Sequence, residues 1–185
     1  MKIDYELTKQ DYIDFNMNYM SNSKAVKKLF LAQRYIVPIM FLFIPFVMIK
    51  VTSIPLAYWF RLFIVCCILW IIFYPKYFKW TVSKRISKML DESENKDMLG
   101  KRSLSLAEKG IIELSTLSEL KTDWSAIEKI TQTEKHIFIF TSSVAAYILP
   151  VRVFENESEK KKFIVKLNYM IDKAKDKKGI KKKIG

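Results

Sequence analysis

Three textures succeed one another along this chain. The middle is almost continuously apolar: residues 35–51 hold Lys50 as their only charge, and residues 56–74 hold Arg61 as theirs. Each run is about 17–20 residues, enough for a helix to cross a hydrocarbon core of roughly 30 Å. Core helices of soluble proteins seldom stay apolar on every side for that length. Only Thr52-Ser53-Ile54-Pro55 separates the runs, so the two helices are expected to lie antiparallel as a transmembrane hairpin. From residue 102 short runs alternate with polar turns, predicting strands at about 103–107, 111–115, 119–124, 127–133, 137–141 and 145–149. Ser103-Leu104-Ser105-Leu106 alternates cleanly, whereas Ile137-Phe138-Ile139-Phe140 is apolar on both faces and is expected to be buried or membrane-facing. The third texture is helical. Phe163, Leu167, Met170, Ile171 and Ala174 share one face, and Asn156 with Glu159 has the spacing of a capping box.

The N-terminus adds one strand and one helix. Residues 2–7 alternate through Ile3, Tyr5 and Leu7, and Thr8 is placed to cap a short helix carrying Tyr12, Phe15 and Tyr19. That helix buries too little alone and is expected to dock on the downstream strands. Seven strands closed by a terminal helix match the count of a pleckstrin-homology-like (PH-like) barrel. The expected fold is an α+β membrane protein: a cytoplasmic N-terminal strand and helix over 1–34, a transmembrane hairpin within 35–80, and a linker helix over 81–101. An antiparallel PH-like β-barrel capped by its C-terminal helix follows over 102–174, and a frayed basic tail over 175–185.

Charge sharpens this picture. The formal net charge is +13, but residues 1–14 are net −2, residues 91–150 net −3 and residues 151–185 net +7, while residues 15–90 carry 11 basic and no acidic side chains. Lys24, Lys27, Lys28 and Arg34 precede the first apolar run, and Lys76, Lys79, Lys84, Arg85 and Lys88 follow the second. Basic flanks favour the cytoplasmic side, so both termini are expected there. Lys50 and Arg61, close to the outer turn, are expected to snorkel to the interface. The basic flanks and tail are expected to meet anionic lipid head groups, at about 1 kcal/mol per well-placed residue. Nucleic acid is not an expected partner. Pro38 and Pro45 read as ordinary membrane-helix prolines, and Cys66 and Cys67 as small apolar residues of the second helix.

Little in the chain points to catalysis. A single histidine precludes a multi-His metal site, the four glycines form no phosphate-cradling loop, and no nucleophile elbow is present. His136, beside Lys135 in a turn, is expected to be exposed, and the carboxylates of 91–150 to lie on solvated faces. Gly110, closing the turn Glu108-Lys109-Gly110, is expected to use its freedom to adopt positive φ. No catalytic residue, metal or cofactor is expected. Trp124 is expected to cover the mouth of the barrel, Pro150 to end a strand for want of an N–H, and Phe154 to pin the chain as it enters the last helix. Trp124, Arg152 and Phe154 are the candidates for contact with a partner.

Four segments resemble the YcxB-like family of small bacterial membrane proteins. Residues 3–12, Ile-Asp-Tyr-Glu-Leu-Thr-Lys-Gln-Asp-Tyr, resemble its opening of a strand, a Thr and an Asp-Tyr pair. Two membrane helices follow at the corresponding place. Residues 105–111 and 124–130 resemble its Gly and Trp-x-x-Ile signatures, and residues 147–154, Tyr-Ile-Leu-Pro-Val-Arg-Val-Phe, its Ile-Pro-Lys-Arg-x-Phe segment, with Val151 in place of the usual basic residue. The resemblance implies a PH-like C-terminal region, residence in the bacterial cytoplasmic membrane, and no catalytic residues.

The function expected from these readings is non-catalytic binding by a PH-like module tethered at the inner membrane face. The partner is a protein or a second copy of the chain, because net negative residues 91–150 poorly suit a head-group reader. The alternatives are head-group binding by that module, or a role for the hairpin as an immunity-type protein or a subunit of a membrane complex.

Overall fold

A computed structural model describes residues 1–92 and 98–184, the side chains of 177–184 excepted. The element order is β1 (Lys2–Leu7), α1 (Lys9–Asn22), α2 (Lys24–Phe41), α3 (Ile44–Val51), α4 (Leu56–Asp91), β2 (Gly100–Leu106), β3 (Gly110–Leu114), β4 (Glu119–Asp123), β5 (Lys129–Gln132), β6 (His136–Phe140), β7 (Ala146–Pro150) and α5 (Glu157–Ile184). The chain divides into two compact units, one of Met1–Phe15 with Ser87–Gly185, the other Asn16–Ile86. The apolar segment is thus inserted between two strands of a single compact unit, because β1 pairs antiparallel with β2, from Lys2 opposite Ser105 to Leu7 opposite Gly100.

The seven expected strands all form, within a few residues of the expected bounds. They build a four-stranded sheet ordered β1-β2-β3-β4 and a three-stranded sheet ordered β5-β6-β7, both antiparallel. The expected closed barrel is not formed. After β4 the chain makes a 3₁₀ turn at Trp124–Ala126, which carries β5 away to the second sheet. β6 is buried on both faces, the first of the two placements its pattern allowed. Its even positions meet α1, where the Phe15 ring lies 5.4 Å from Phe138 and 6.0 Å from Phe140. Ile137 and Ile139 occupy the opposite face and are fully buried.

α5 starts as expected. Asn156 Oδ1 accepts from Glu159 N at 2.9 Å, and the Glu159 carboxylate reaches back to Glu155 N. Phe163, Leu167 and Ile171 are buried, with Met170 and Ala174 packed beside them. The helix continues to Ile184, so the backbone of the expected frayed tail is helical. Gly110 does not adopt positive φ; among the described residues only Gly100 does. Glycine is needed at 110 because a Cβ there would lie 2.0 Å from the Thr122 carbonyl oxygen of the adjoining strand.

In the second unit the first apolar run is two helices rather than one. α2 ends at Phe41, and Leu42 and Phe43 donate to Ile39 and Met40 in tight i to i−3 bonds before α3 begins. Pro45 explains the break: it has no N–H for the Phe41 carbonyl, and its ring would clash with it. The prolines therefore shape the helix and are not merely tolerated in it. Leu42 N bonds Ile39 O, which frees the Pro38 carbonyl to accept from Cys67 Sγ at 3.2 Å. Cys67 thus serves as a donor as well as a small apolar residue. The second apolar run lies in one helix, α4, that continues to Asp91 through the first half of the expected linker; residues 93–97 of that linker lie outside the described residues. Lys24–Val51 and Leu56–Asp91 are long and apolar enough to cross a membrane, and only 11% and 6% of their most apolar windows is buried.

Candidate functional site

In the first unit several charged side chains converge on the N-terminal corner. Thr8 lies between β1 and α1, and Asp11 sits in the first turn of α1. Thr8 N and Oγ1 both donate to Asp11 Oδ2 at 2.8 Å, and Asp11 N approaches Thr8 Oγ1 at 3.4 Å, a reciprocal cap. Two residues remote in sequence complete the cluster. His136 Nε2 lies 2.7 Å from Asp11 Oδ1. Arg152 donates from Nη1 to Oδ1 at 2.7 Å and from Nη2 to Oδ2 at 2.6 Å, a two-pronged pair, and Nη2 also reaches Glu6 O at 2.9 Å.

Electrostatics follow from this crowding. Asp11 is 1% exposed. Burial alone pushes its carboxyl up, but the bonds from Arg152, His136 and Thr8 outweigh burial and hold it well below the usual carboxylate range. The bond to Asp11 raises Arg152 in turn. Five contacts occupy both Asp11 oxygens. His136 is buried, in contrast to its expected exposure, with its ring stacked on Phe138 at 5.5 Å and Asp14 3.9 Å from Nδ1. It opens β6 on the face turned to α1, and a local reading of the turn around Lys135 does not contain that face.

A second cluster lies between the strands. Arg102 Nη1 donates to Glu113 Oε2 at 2.5 Å, and the Tyr5 hydroxyl donates to Oε1 of the same carboxylate. Glu113 is 6% exposed, so this carboxylate does not lie on the solvated face expected for it. Burial, then the Glu113 charge, raises the Tyr5 phenol; burial lowers Arg102, but Glu113 together with Tyr12 and Tyr5 more than offsets that. Nearby, the Thr122 and Tyr147 hydroxyls lie 2.6 Å apart.

The sequence-derived partner candidates are largely engaged inside the protein. Trp124 is 3% exposed, with Nε1 donating to Ala107 O at 3.2 Å, and so stitches the turn after β4 to the turn after β2. Phe154 is buried with its ring 5.5 Å from Phe163. Arg152 is half exposed but committed to Asp11. Of the basic flanks, Lys24, Lys27, Lys28, Lys76, Lys79, Lys84, Arg85 and Lys88 are exposed. Arg34 is half-buried: its Nε donates to Ile71 O at 3.1 Å. That carbonyl has no helical partner because Pro75, four residues on, lacks an N–H. Sequence reasoning named Arg152 but missed His136 and Asp11; a Thr-x-x-Asp spacing at a helix start was the available signal. Among the described residues, no group of three or more His, Cys, Asp or Glu side chains is arranged to hold a metal.

No curated protein and no solved structure matches the chain. Residues 106–164, from the end of β2 into α5, match the family model for YcxB-like protein. They include Trp124, His136, Arg152 and Phe154, and over this stretch the chain is similar to the YcxB-like family.

Proposed function

We propose that this is a non-catalytic, membrane-anchored protein whose soluble unit is a PH-like binding module at the cytoplasmic face of a bacterial inner membrane. Its partner is a protein or a second copy of the chain. The observation that carries this reading is the insertion of both apolar helices between the paired strands β1 and β2. A chain that leaves and re-enters one folded unit crosses a bilayer an even number of times. The basic flanks then favour the cytoplasmic side for that unit. Four plus three antiparallel strands followed by a terminal helix support the PH-like assignment. The reactive side chains are bonded to one another across chain segments, which supports binding over catalysis.

Two measurements test it in cells, both in a Cys66→Ser/Cys67→Ser background. Single cysteines at Asp4, Ser53 and Lys175 are probed with a membrane-impermeant maleimide in spheroplasts. The expected result is labelling at position 53 alone until the membrane is permeabilised; labelling of 4 or 175 from outside overturns the topology. A photo-crosslinking amino acid is then placed at Leu117 and at Val144, both exposed. The expected result is a discrete protein adduct from at least one position. No adduct from either overturns the binding role.

A further inference from the structure

The four-stranded sheet ends in β4, which pairs with β3 on one side and with no described strand on the other. Natural edge strands are blunted by short length, proline, bulges or charged side chains, above all lysine, because an unpaired ladder recruits another strand. β4, Glu-Leu-Lys-Thr-Asp, has no proline. Its lysine is not isolated: Lys121 Nζ lies 3.1 Å from Glu119 two residues away on the same face, with both side chains well exposed. Between them Leu120 is 53% exposed, and Leu117, in the turn before the strand, is 78% exposed.

We propose that the free edge of β4 is a homotypic docking site, whose occupant is β4 of a second copy of this chain paired antiparallel about a two-fold axis at Leu120. This deepens the binding-module reading and rests on it. The register follows from charge. Centring the axis on Lys121 sets Lys121 against Lys121 and Glu119 against Asp123, like charges in every charged pair, which destabilises a sheet. Centring it on Thr122 sets Lys121 against Asp123, but the Asp123 carboxylate caps the 3₁₀ turn, and Leu120 then falls against Trp124, which has left the strand for that turn and is buried. Centring it on Leu120 sets Glu119 against Lys121 twice, and Leu120 against Leu120. Of the three, that register alone combines opposite charges in its charged pairs with partners that all lie outside the 3₁₀ turn. So short a ladder buries far less than the roughly 1,000 Å² of a stable soluble dimer. Anchorage supplies what area does not: copies held in one membrane meet at a high effective concentration.

The test uses the full chain in its native membrane, in the Cys66→Ser/Cys67→Ser background. A residue on a two-fold axis faces itself across an antiparallel pair at a Cα separation of about 4.5–5.5 Å, within disulfide reach. Leu120→Cys is therefore expected to give a disulfide dimer on mild oxidation, well above the collisional yield of Val144→Cys, which is also exposed but lies on another turn. Glu119→Lys and Lys121→Glu, each added to Leu120→Cys, are expected to lower its dimer yield about tenfold, since either change creates two like-charge pairs. The double exchange Glu119→Lys/Lys121→Glu is expected to restore it. Tryptophan emission, which includes buried Trp124, checks that each variant is folded. A Leu120→Cys yield no higher than that of Val144→Cys, or a double exchange that fails to restore dimers, overturns the proposal. If a photo-crosslinker at Leu120 then captures a different polypeptide, the binding-module reading survives without self-pairing. If no exposed position yields an adduct, both fall.

Discussion

Asp11 joins three parts of the chain: the β1–α1 corner through Thr8, the start of β6 through His136, and the segment after β7 through Arg152. Removing its charge while keeping its shape leaves Arg152 without its carboxylate and His136 with a weaker acceptor. Asp11→Asn is expected to cost about 2–4 kcal/mol, nearer the lower end because half-exposed Arg152 can be rehydrated. The sign with pH is fixed. The folded carboxyl is held below its ordinary value, so its contribution is complete above the unfolded range near pH 4 and fades as pH falls towards the depressed value. Denaturation of the full chain in micelles should show a wide gap between wild type and Asp11→Asn at pH 7 and a narrower one at pH 3. An equal gap at both excludes a charge-dependent role. At this scale the sequence was least legible. His136 and Asp11 are 125 residues apart, and no periodicity of 2 or 3.6 encodes such a pairing. The Thr8 and Asn156 caps were readable because all their partners lie within one helical turn.

At the scale of elements, carbonyls freed by proline organise the helical hairpin. Arg34 serves the Ile71 carbonyl that Pro75 cannot, and Cys67 serves that of Pro38. Arg34→Leu is expected to destabilise the paired helices by about 1–2 kcal/mol, and by markedly less in a Pro75→Ala background, where the alanine N–H satisfies Ile71. A double-mutant cycle on unfolding in micelles measures that coupling; strict additivity denies the carbonyl argument. In the sheet, Gly110→Ala forces a Cβ against the Thr122 carbonyl. The expected cost is about 1–3 kcal/mol, read in the same unfolding assay, and it should not be relieved by other small residues such as serine. Periodicity located the elements well, because burial imposes it directly on Ile3, Tyr5 and Leu7 and on Phe163, Leu167 and Ile171. It could not show that β4 and β5 stay unpaired. Sheet closure depends on where a three-residue turn sends the chain, and Trp124–Ala126 carries no hydrophobic period of its own.

For the whole molecule, the decisive fact is that one compact unit is assembled from residues on both sides of the apolar segment. Replacing residues 16–86 by a flexible Gly/Ser linker of about 15 residues, which spans about 20 Å on average, is expected to yield a soluble, cooperatively folding protein. Circular dichroism and a dispersed NMR spectrum would verify it. Aggregation of that protein would mean that the β1–β2 pairing needs the helices. The two-span reading came from composition and length, but the insertion was not legible, because nothing in residues 2–7 names its partner strand. Insertion also sets the order of events during synthesis. β1 leaves the ribosome about ninety residues ahead of β2, a delay of roughly 5–20 s at ordinary elongation rates. Until then its hydrogen-bonding groups have no sheet to join, and the Arg152 that locks its corner has not been made. This unit can close only after the whole apolar segment has been synthesised. On the proposed topology, a copy whose hairpin fails to insert would expose both the hairpin and, while the unit stays open, the unpaired strand. If the apolar segment spans a membrane as proposed, folding of this unit is coupled to insertion, and copies that miss the membrane are expected to be ready substrates for chaperones and proteases.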